Sequence, residues 1–526
     1  MVKLLLQNRQ TYPWHNKNNI WFSGYFIWEN RLYKELEAIS YFRERAYQGN
    51  LPKLLRDING IFAIVIKNED GIEFAVDRLR SLPLFYSTEA SNIIISDNAN
   101  EIIKFLGKVT IDKLSLEEFS KSSLFVSGQH TLLKEIKQVQ ASEYLKISHK
   151  NQKIQSQIYF KSEYNISSSD LEDLTKEFDH NYNQIGENLV KALNGRTAVI
   201  PLSGGADSRM IASQLYANEY TKVICFTYGN KNSEEARISK LVAKDLNFKW
   251  IIVPYTRKGW RQIGNDSEFH EYMNFSGNFT SLPHLQDYLA VKYLKDNELI
   301  PFDAVFVPGH SGDLLAGAHI TNEYIESKVN KTTFFNTIFS YPGFYKCRKL
   351  SGNLKDRISE KFVLKDKVSN EYWASEVEWF NIQERQSKFI VNSVRIYDHF
   401  GYEWLLPLWD NANFYFWSKV PLDLKFKRNL YFKVVRNNQT DKLPSTNDIN
   451  TYKRVASLIR DISILRWPIR KISKITKYYF SSLQMEGIYG FFKYSKSMIL
   501  NNEYADINDL LCNFYISNLK KYLKKY

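Results

Sequence analysis

The densest chemistry in this chain lies in Leu202-Ser203-Gly204-Gly205-Ala206-Asp207-Ser208, directly behind the apolar run Ala198-Val199-Ile200-Pro201. A strand that ends in Ser-Gly-Gly-x-Asp-Ser and feeds a helix presents backbone N–H groups, two hydroxyls and one carboxylate at a single point. Glycines let the main chain approach an anion closely, and the helix N-terminus behind them favours negative charge. The anion this suits is the phosphate chain of a nucleotide, bound by Leu202, Ser203, Gly204, Gly205, Asp207 and Ser208. No lysine follows the turn, so it is not the Gly-x-x-x-x-Gly-Lys-Ser/Thr loop of kinases and GTPases. The plainer alternative is a small-residue turn in an ordinary α/β domain.

Two other strand ends point at the same crevice. In Cys225-Phe226-Thr227-Tyr228-Gly229, Tyr228 is a candidate adenine contact. In Val307-Pro308-Gly309-His310-Ser311-Gly312-Asp313, a strand runs into a Gly-rich turn with one acid, and Pro308 and Gly309 line the nucleotide. Asp207 and Asp313 would face each other across bound ATP. Two carboxylates beside a triphosphate suit Mg²⁺, which takes few protein oxygens and shares those of the phosphates. Alone, Asp313 reads as a turn residue; beside the Ser203 loop it reads as a metal ligand.

These points need a scaffold of alternating strands and helices. The pattern predicts strands at Thr197–Leu202, Lys222–Thr227, Lys249–Val253 and Ala304–Val307, and helices at Arg209–Ala217 and Ser233–Leu246. Leu285–Lys295 continues the alternation, and a helix is expected over Leu171–Leu193. Such alternation argues for a doubly wound parallel sheet, whose ligands sit beyond the carboxyl ends of its strands. After about Asn322 the chain reads as helical to its end. The first 145 residues read as mixed strands and short helices, with strands at Ile20–Trp28, Gly60–Lys67, Ile72–Asp77, Leu84–Ser87 and Ile93–Ser96. The capping-box spacing Ser115-Leu116-Glu117-Glu118 predicts a helix start. The polar, Ser-rich stretch Ser148–Ser169 reads as a linker or surface excursion.

The chain's length predicts two or three domains, and 44% hydrophobic against 24% charged residues is ordinary for a globular protein. Cys225, Cys347 and Cys512 are widely spaced and odd in number, which argues for a reducing compartment and against structural zinc. No apolar run suits a signal peptide or a membrane span, so the cytoplasm is the expected compartment. The net charge of +14 is concentrated: from Thr451 to Tyr526 there are 14 Lys/Arg against 5 Asp/Glu. That basic, aromatic tail, including Ile472–Phe480, is read either as a solvated face of C-terminal helices or as a contact for an anionic membrane or an acidic substrate. No recognisable nucleic-acid-binding module is present in the sequence, so no nucleic-acid partner is expected.

The Ser203 loop resembles the pyrophosphate-binding loop of ATP pyrophosphatases. Together with Tyr228-Gly229 and the turn carrying Asp313, it is similar to the synthetase domain of the asparagine synthetase and β-lactam synthetase family. Leu55-Arg56-Asp57-Ile58-Asn59-Gly60-Ile61-Phe62-Ala63 and Asp77-Arg78-Leu79-Arg80-Ser81-Leu82-Pro83-Leu84-Phe85-Tyr86 resemble that family's class II glutamine amidotransferase domain. Phe400–Asp410 resembles its segment around Arg-x-Pro-Phe-Leu-Asp. The resemblance implies an N-terminal Ntn-hydrolase-like α+β sandwich over 1–150. It further implies an ATP-pyrophosphatase domain over 170–440, followed by a basic helical extension over 441–526.

Three departures qualify what is carried over. The family's N-terminal nucleophile is a cysteine, whereas Val2 stands here and no cysteine precedes Cys225, so glutamine hydrolysis is not expected. The family's glutamate in the turn is replaced by His310, which reads either as a proton acceptor or as a structural hydrogen-bonding residue. The family's late lysine has no clear counterpart; Lys433, Lys442 and Lys453 are the candidates. The expected activity is an ATP- and Mg²⁺-dependent ligase that activates a small-molecule or peptide carboxylate as an acyl-adenylate and joins it to an amine or ammonia. Asparagine synthesis proper, another ATP pyrophosphatase chemistry, and a nucleotide-binding homologue without catalysis are the alternatives.

Overall fold

The computed structural model describes residues 2–7, 9–46, 50–89, 92–166, 170–263, 266–365, 368–437 and 507–523. Strand Asn59–Lys67 shows how its sequence builds two layers. Ile61, Ala63 and Val65 enter one core while Phe62 and Ile64 enter another, the two-residue period of a strand buried on both faces. The first core is shared with a second sheet through Phe85, Tyr86, Ile93, Ile94 and Ile95. The other is closed by Ala38, Ile39, Phe42, Leu51 and Leu55 of helices Glu35–Ala46 and Leu51–Asp57. Helix Ala99–Leu106 packs on the second sheet, completing a helix–sheet–sheet–helix sandwich.

The larger, antiparallel sheet runs Ile154–Ile158, Glu143–Ser148, Gly71–Val76, Asn59–Lys67, Ile20–Trp28, His15–Lys17, with Arg31–Lys34 also paired to Ile20–Trp28. The smaller runs Val2–Leu5, Ile93–Ser96, Phe85–Ser87, Lys137–Gln138. Ser148–Ser169 is therefore not simply a linker: Ile154–Ile158 is an edge strand whose outward exposure gives it a polar composition. The helix expected at Ser115 starts earlier, because Asp112 accepts from Leu114 N and Ser115 N and caps Lys113–Ser122.

The second layer system is a five-stranded parallel sheet in the order Lys249–Pro254, Val223–Gly229, Ala198–Pro201, Val305–Phe306, Glu403–Trp404. The chain leaves Ala198–Pro201 toward one edge and returns to the other side through Val305–Phe306. Their carboxyl ends flank the topological switch point, where such sheets open a ligand crevice. Glu403–Trp404 lies in the region read as helical; two residues are too few to leave a strand pattern in the sequence. Helix Leu171–Leu193 has the expected bounds, burying Leu174, Phe178, Tyr182, Ile185, Leu189 and Leu193 on one face behind the Asp170 cap.

The sandwich and the parallel sheet share a continuous core, and polar ties cross the seam. Lys388 Nζ donates to Val126 O (2.9 Å), Gly128 O (2.9 Å) and Glu384 Oε2 (2.5 Å), and Glu384 accepts from Gly128 N. The terminal helix Ile507–Leu523 returns to this body, burying Leu510, Leu511, Cys512, Tyr515, Ile516 and Leu519. Asp509 pairs with Lys346 (2.6 Å) and Arg348 (2.5 Å). In this part of the tail the apolar face is used by the fold itself; Ile472–Phe480 lies outside the described residues. Among the described residues no helix is long and apolar enough to cross a membrane.

Candidate active site

The Ser203 loop is preformed by its own hydrogen bonds. Ser203 N donates to Ser208 Oγ (3.1 Å), Gly205 N donates to Ser203 Oγ (3.1 Å), and the two hydroxyls stand 3.1 Å apart. Buried Arg209 donates from Nε to Gly205 O (3.1 Å). From behind, Thr227 Oγ1 donates to Leu202 O (2.8 Å) and accepts from Trp250 Nε1 (3.2 Å). Helix Ala206–Ala217 begins three residues before the sequence pattern placed it, so Asp207 sits in its first turn. The loop therefore keeps one shape and aims a helix N-terminus at the crevice.

The turn after Val305–Phe306 lies against that loop. A Cβ on Gly309 would stand 2.6 Å from Ser208 N, so only glycine permits the approach. Ser311 takes φ +65° and donates to Gln386 Oε1 (2.5 Å). Asp207 and Asp313 meet across this junction. Burial, then the charge of Asp313, pushes the Asp207 carboxyl up to about 7, against the Tyr431 hydrogen bond. Tyr431 donates its hydroxyl to Asp207 Oδ1, and Arg428 Nη1 pairs with Asp313 Oδ2 at 3.1 Å.

These residues line a cavity of about 660 Å³ that includes Ser203, Gly204, Gly205, Asp207, Ser208, Tyr228, Pro308, Gly309, His310 and Asp313. Leu202 lines an adjoining hollow of about 290 Å³ instead, with Tyr228, Tyr255 and Trp260. Tyr228 and Tyr255 stack on each other there at 4.9 Å and give the hollow an aromatic wall. Among the described residues no group of three or more His, Cys, Asp or Glu side chains could hold a metal. Asp207 and Asp313 offer two hard oxygen donors, which fits Mg²⁺ completed by phosphate oxygens and water.

A further wall escapes the sequence motifs. His284, Asp287 and Ser393 line the cavity beside His310, and Ser393 Oγ lies 3.2 Å from His310 Nε2. Burial pulls His310 down to about 4, against the charge of Asp287, and burial also lowers His284. Asp287 accepts from Tyr397 (2.9 Å). Arg428, Tyr431 and Phe432 also line the cavity. Of the late lysines, Lys433 is exposed and lines none of these hollows, and Lys442 and Lys453 lie outside the described residues. Asp287 and Arg428 carry no local motif; only their arrival from distant elements marks them.

At the seam, Asn59 and Gly60 line a hollow of about 50 Å³ with Asp77 and Asp410. Asn59 Nδ2 donates to Asp410 Oδ2 (2.6 Å), and its Oδ1 accepts from Asn411 N (3.2 Å). Four donations from Phe62 N, Leu79 N, Ser81 N and Ser81 Oγ engage the Asp77 carboxylate.

Residues 45–160 match the family model of a glutamine amidotransferase domain. No curated protein matches this chain. A solved structure of an NH3-dependent NAD synthetase from Campylobacter jejuni subsp. jejuni NCTC 11168, in complex with the nitrate ion, is similar at 14% identity. The match covers 40% of this chain and 94% of that one, with a TM-score of 0.20, too low for the likeness to carry a structural argument.

Proposed function

We propose that the chain is an ATP-dependent ligase that activates a carboxylate as an acyl-adenylate and joins it to ammonia or a substrate amine. The observation that carries this is the preformed Ser203–Ser208 loop at the switch point of the parallel sheet, facing two carboxylates and a guanidinium. A carboxylate oxygen attacks the α-phosphorus, the bond to the bridging oxygen breaks, and pyrophosphate leaves. Ser203, Gly204, Gly205 and Ser208 receive that charge, and preorganised donors do so without reorganisation. Asp207 and Asp313 would hold Mg²⁺, which would supply charge neutralisation at the phosphates. To the hollow walled by Tyr228 and Tyr255 we assign the base.

The amine nitrogen then attacks the acyl carbon, loses a proton, and AMP departs. Burial holds the His310 ring near 4, and so neutral at pH 7, and we assign it to orienting the amine. The carboxylate of the same wall is Asp287, and to it we assign the proton. Glutamine is not the nitrogen source in this reading. Val2 stands where the amidotransferase resemblance implies a cysteine nucleophile. The cytoplasm remains the proposed compartment.

The test is release of pyrophosphate and AMP from Mg-ATP with ammonium present, across a panel including aspartate and uronic acids. Release that depends on one carboxylate supports the reading. Release of ADP and phosphate instead, or binding of ATP with no release across the panel, overturns it.

A further inference from the structure

The segment that closes the cavity is built as an anchor, a hinge and two contacts. Lys425 is the anchor: it is fully buried, its Nζ donates to Trp417 O (3.1 Å), and it lies 3.4 Å from Glu378 Oε2 and 3.7 Å from the centre of the Tyr164 ring. Gly317, at φ +101°, admits the anchor; a Cβ there would stand 2.6 Å from Lys425 O. Beyond it Lys427 (φ +52°) and Arg428 (φ +61°) lie consecutively in the left-handed region. Non-glycine residues stay there only where surrounding contacts enforce it. From this hinge Arg428 reaches Asp313 and Tyr431 reaches Asp207.

We propose that Arg428 and Tyr431 form a latch that occupies Asp313 and Asp207 until a divalent cation and a nucleoside triphosphate displace it together. The proposal rests on the nucleotide reading above. The phenol and the guanidinium each engage one oxygen of the carboxylate pair, Asp207 Oδ1 and Asp313 Oδ2, and so compete with a cation bound between them. The Arg428–Asp313 pair yields readily, because its side chains are 35% and 41% exposed and pairs so placed hold weakly. Once released, the planar guanidinium exchanges a carboxylate for phosphate oxygens, which it matches in geometry. Phe432, whose ring centre lies 4.9 Å from Arg428, keeps it over the cavity during the exchange.

The readout is a ratio: the affinity for ATP with Mn²⁺ divided by the affinity without metal, measured calorimetrically. Removing a hydrogen bond that competes with the cation strengthens the metal-dependent part alone. Tyr431→Phe is expected to raise the ratio by about ten-fold, the size of one hydrogen bond to a charged group. Arg428→Gln, at a partly exposed site that tolerates substitution, is expected to lower metal-free ATP affinity and still raise the ratio. A merely structural role lowers both affinities and leaves the ratio alone, and an unchanged ratio in both variants overturns the latch. If the wild type binds ATP under neither condition, the nucleotide reading falls and the latch with it.

Discussion

Gly309 and Ser208 bring two loops into backbone contact: a Cβ on Gly309 would stand 2.6 Å from Ser208 N and 2.9 Å from the carbonyl carbon of Asp207. Ser208 lies in the helix that follows one strand of the parallel sheet and Gly309 in the turn that follows another, more than a hundred positions apart. Their contact sets the separation of Asp207 from Asp313, and so the width of the candidate metal site.

Gly309→Ala is therefore expected to push the turn off the helix start. Overpacking against backbone costs about 1–3 kcal/mol, and the two carboxylates separate. Thermal unfolding should show the loss, and calorimetry should show weakened Mg-ATP binding. A variant with wild-type stability and binding would mean the turn yields freely.

Asp207→Asn separates function from folding. The folded carboxyl is raised to about 7 from an ordinary 3.8, so the protonated form is favoured in the fold. Its stabilising contribution is complete below the ordinary value and is lost as pH rises through 7. At pH 8 the buried charge is a net cost, and the amide removes it. The variant is expected to be more stable than wild type at pH 8 and to lose pyrophosphate release by about 100-fold or more. Full activity would exclude Asp207 from the reaction.

A buried ion pair braces the seam between the sandwich and the parallel sheet. Lys388 and Glu384 are 0% and 2% exposed at the side chain and bond loop residues 126 and 128 across the seam. Lys388→Met leaves Glu384 buried without its cation, a loss of about 3–5 kcal/mol. The double variant Glu384→Gln/Lys388→Met should lose less than the sum of its singles. Chemical denaturation of the three proteins checks this; strict additivity would mean the two groups do not interact.

Acid sensitivity has a buried source in His319, 3% exposed. Burial, helped by the charge of Lys425 and opposed by that of Glu378, pulls its ring down to about 4 from 6.5. Between those values the unfolded chain binds more protons than the folded one. Its contribution is intact above 6.5 and is lost as pH falls toward 4. The loss of unfolding free energy between pH 7 and pH 5 should shrink by about 2 kcal/mol in His319→Gln. Parallel pH profiles for the two proteins would show that the ring titrates normally.

What the residues determined by themselves is local. The apolar run behind Ser203, the glycines, and the spacing that buries Leu174, Phe178, Tyr182 and Ile185 depend on backbone geometry and short-range periodicity, which neighbouring positions encode. That is why helix Leu171–Leu193 and strands Ile20–Trp28 and Ile93–Ser96 occur where the pattern places them. Only tertiary structure decided that Tyr431 meets Asp207, that Arg428 meets Asp313, and that His284 and Asp287 stand beside His310. It also decided that Ile507–Leu523 spends its apolar face on the core. Those groups converge from elements far apart in the chain. Each is ordinary among its sequence neighbours, and it acquires its chemistry from burial and from partners that sheet order alone brings within reach.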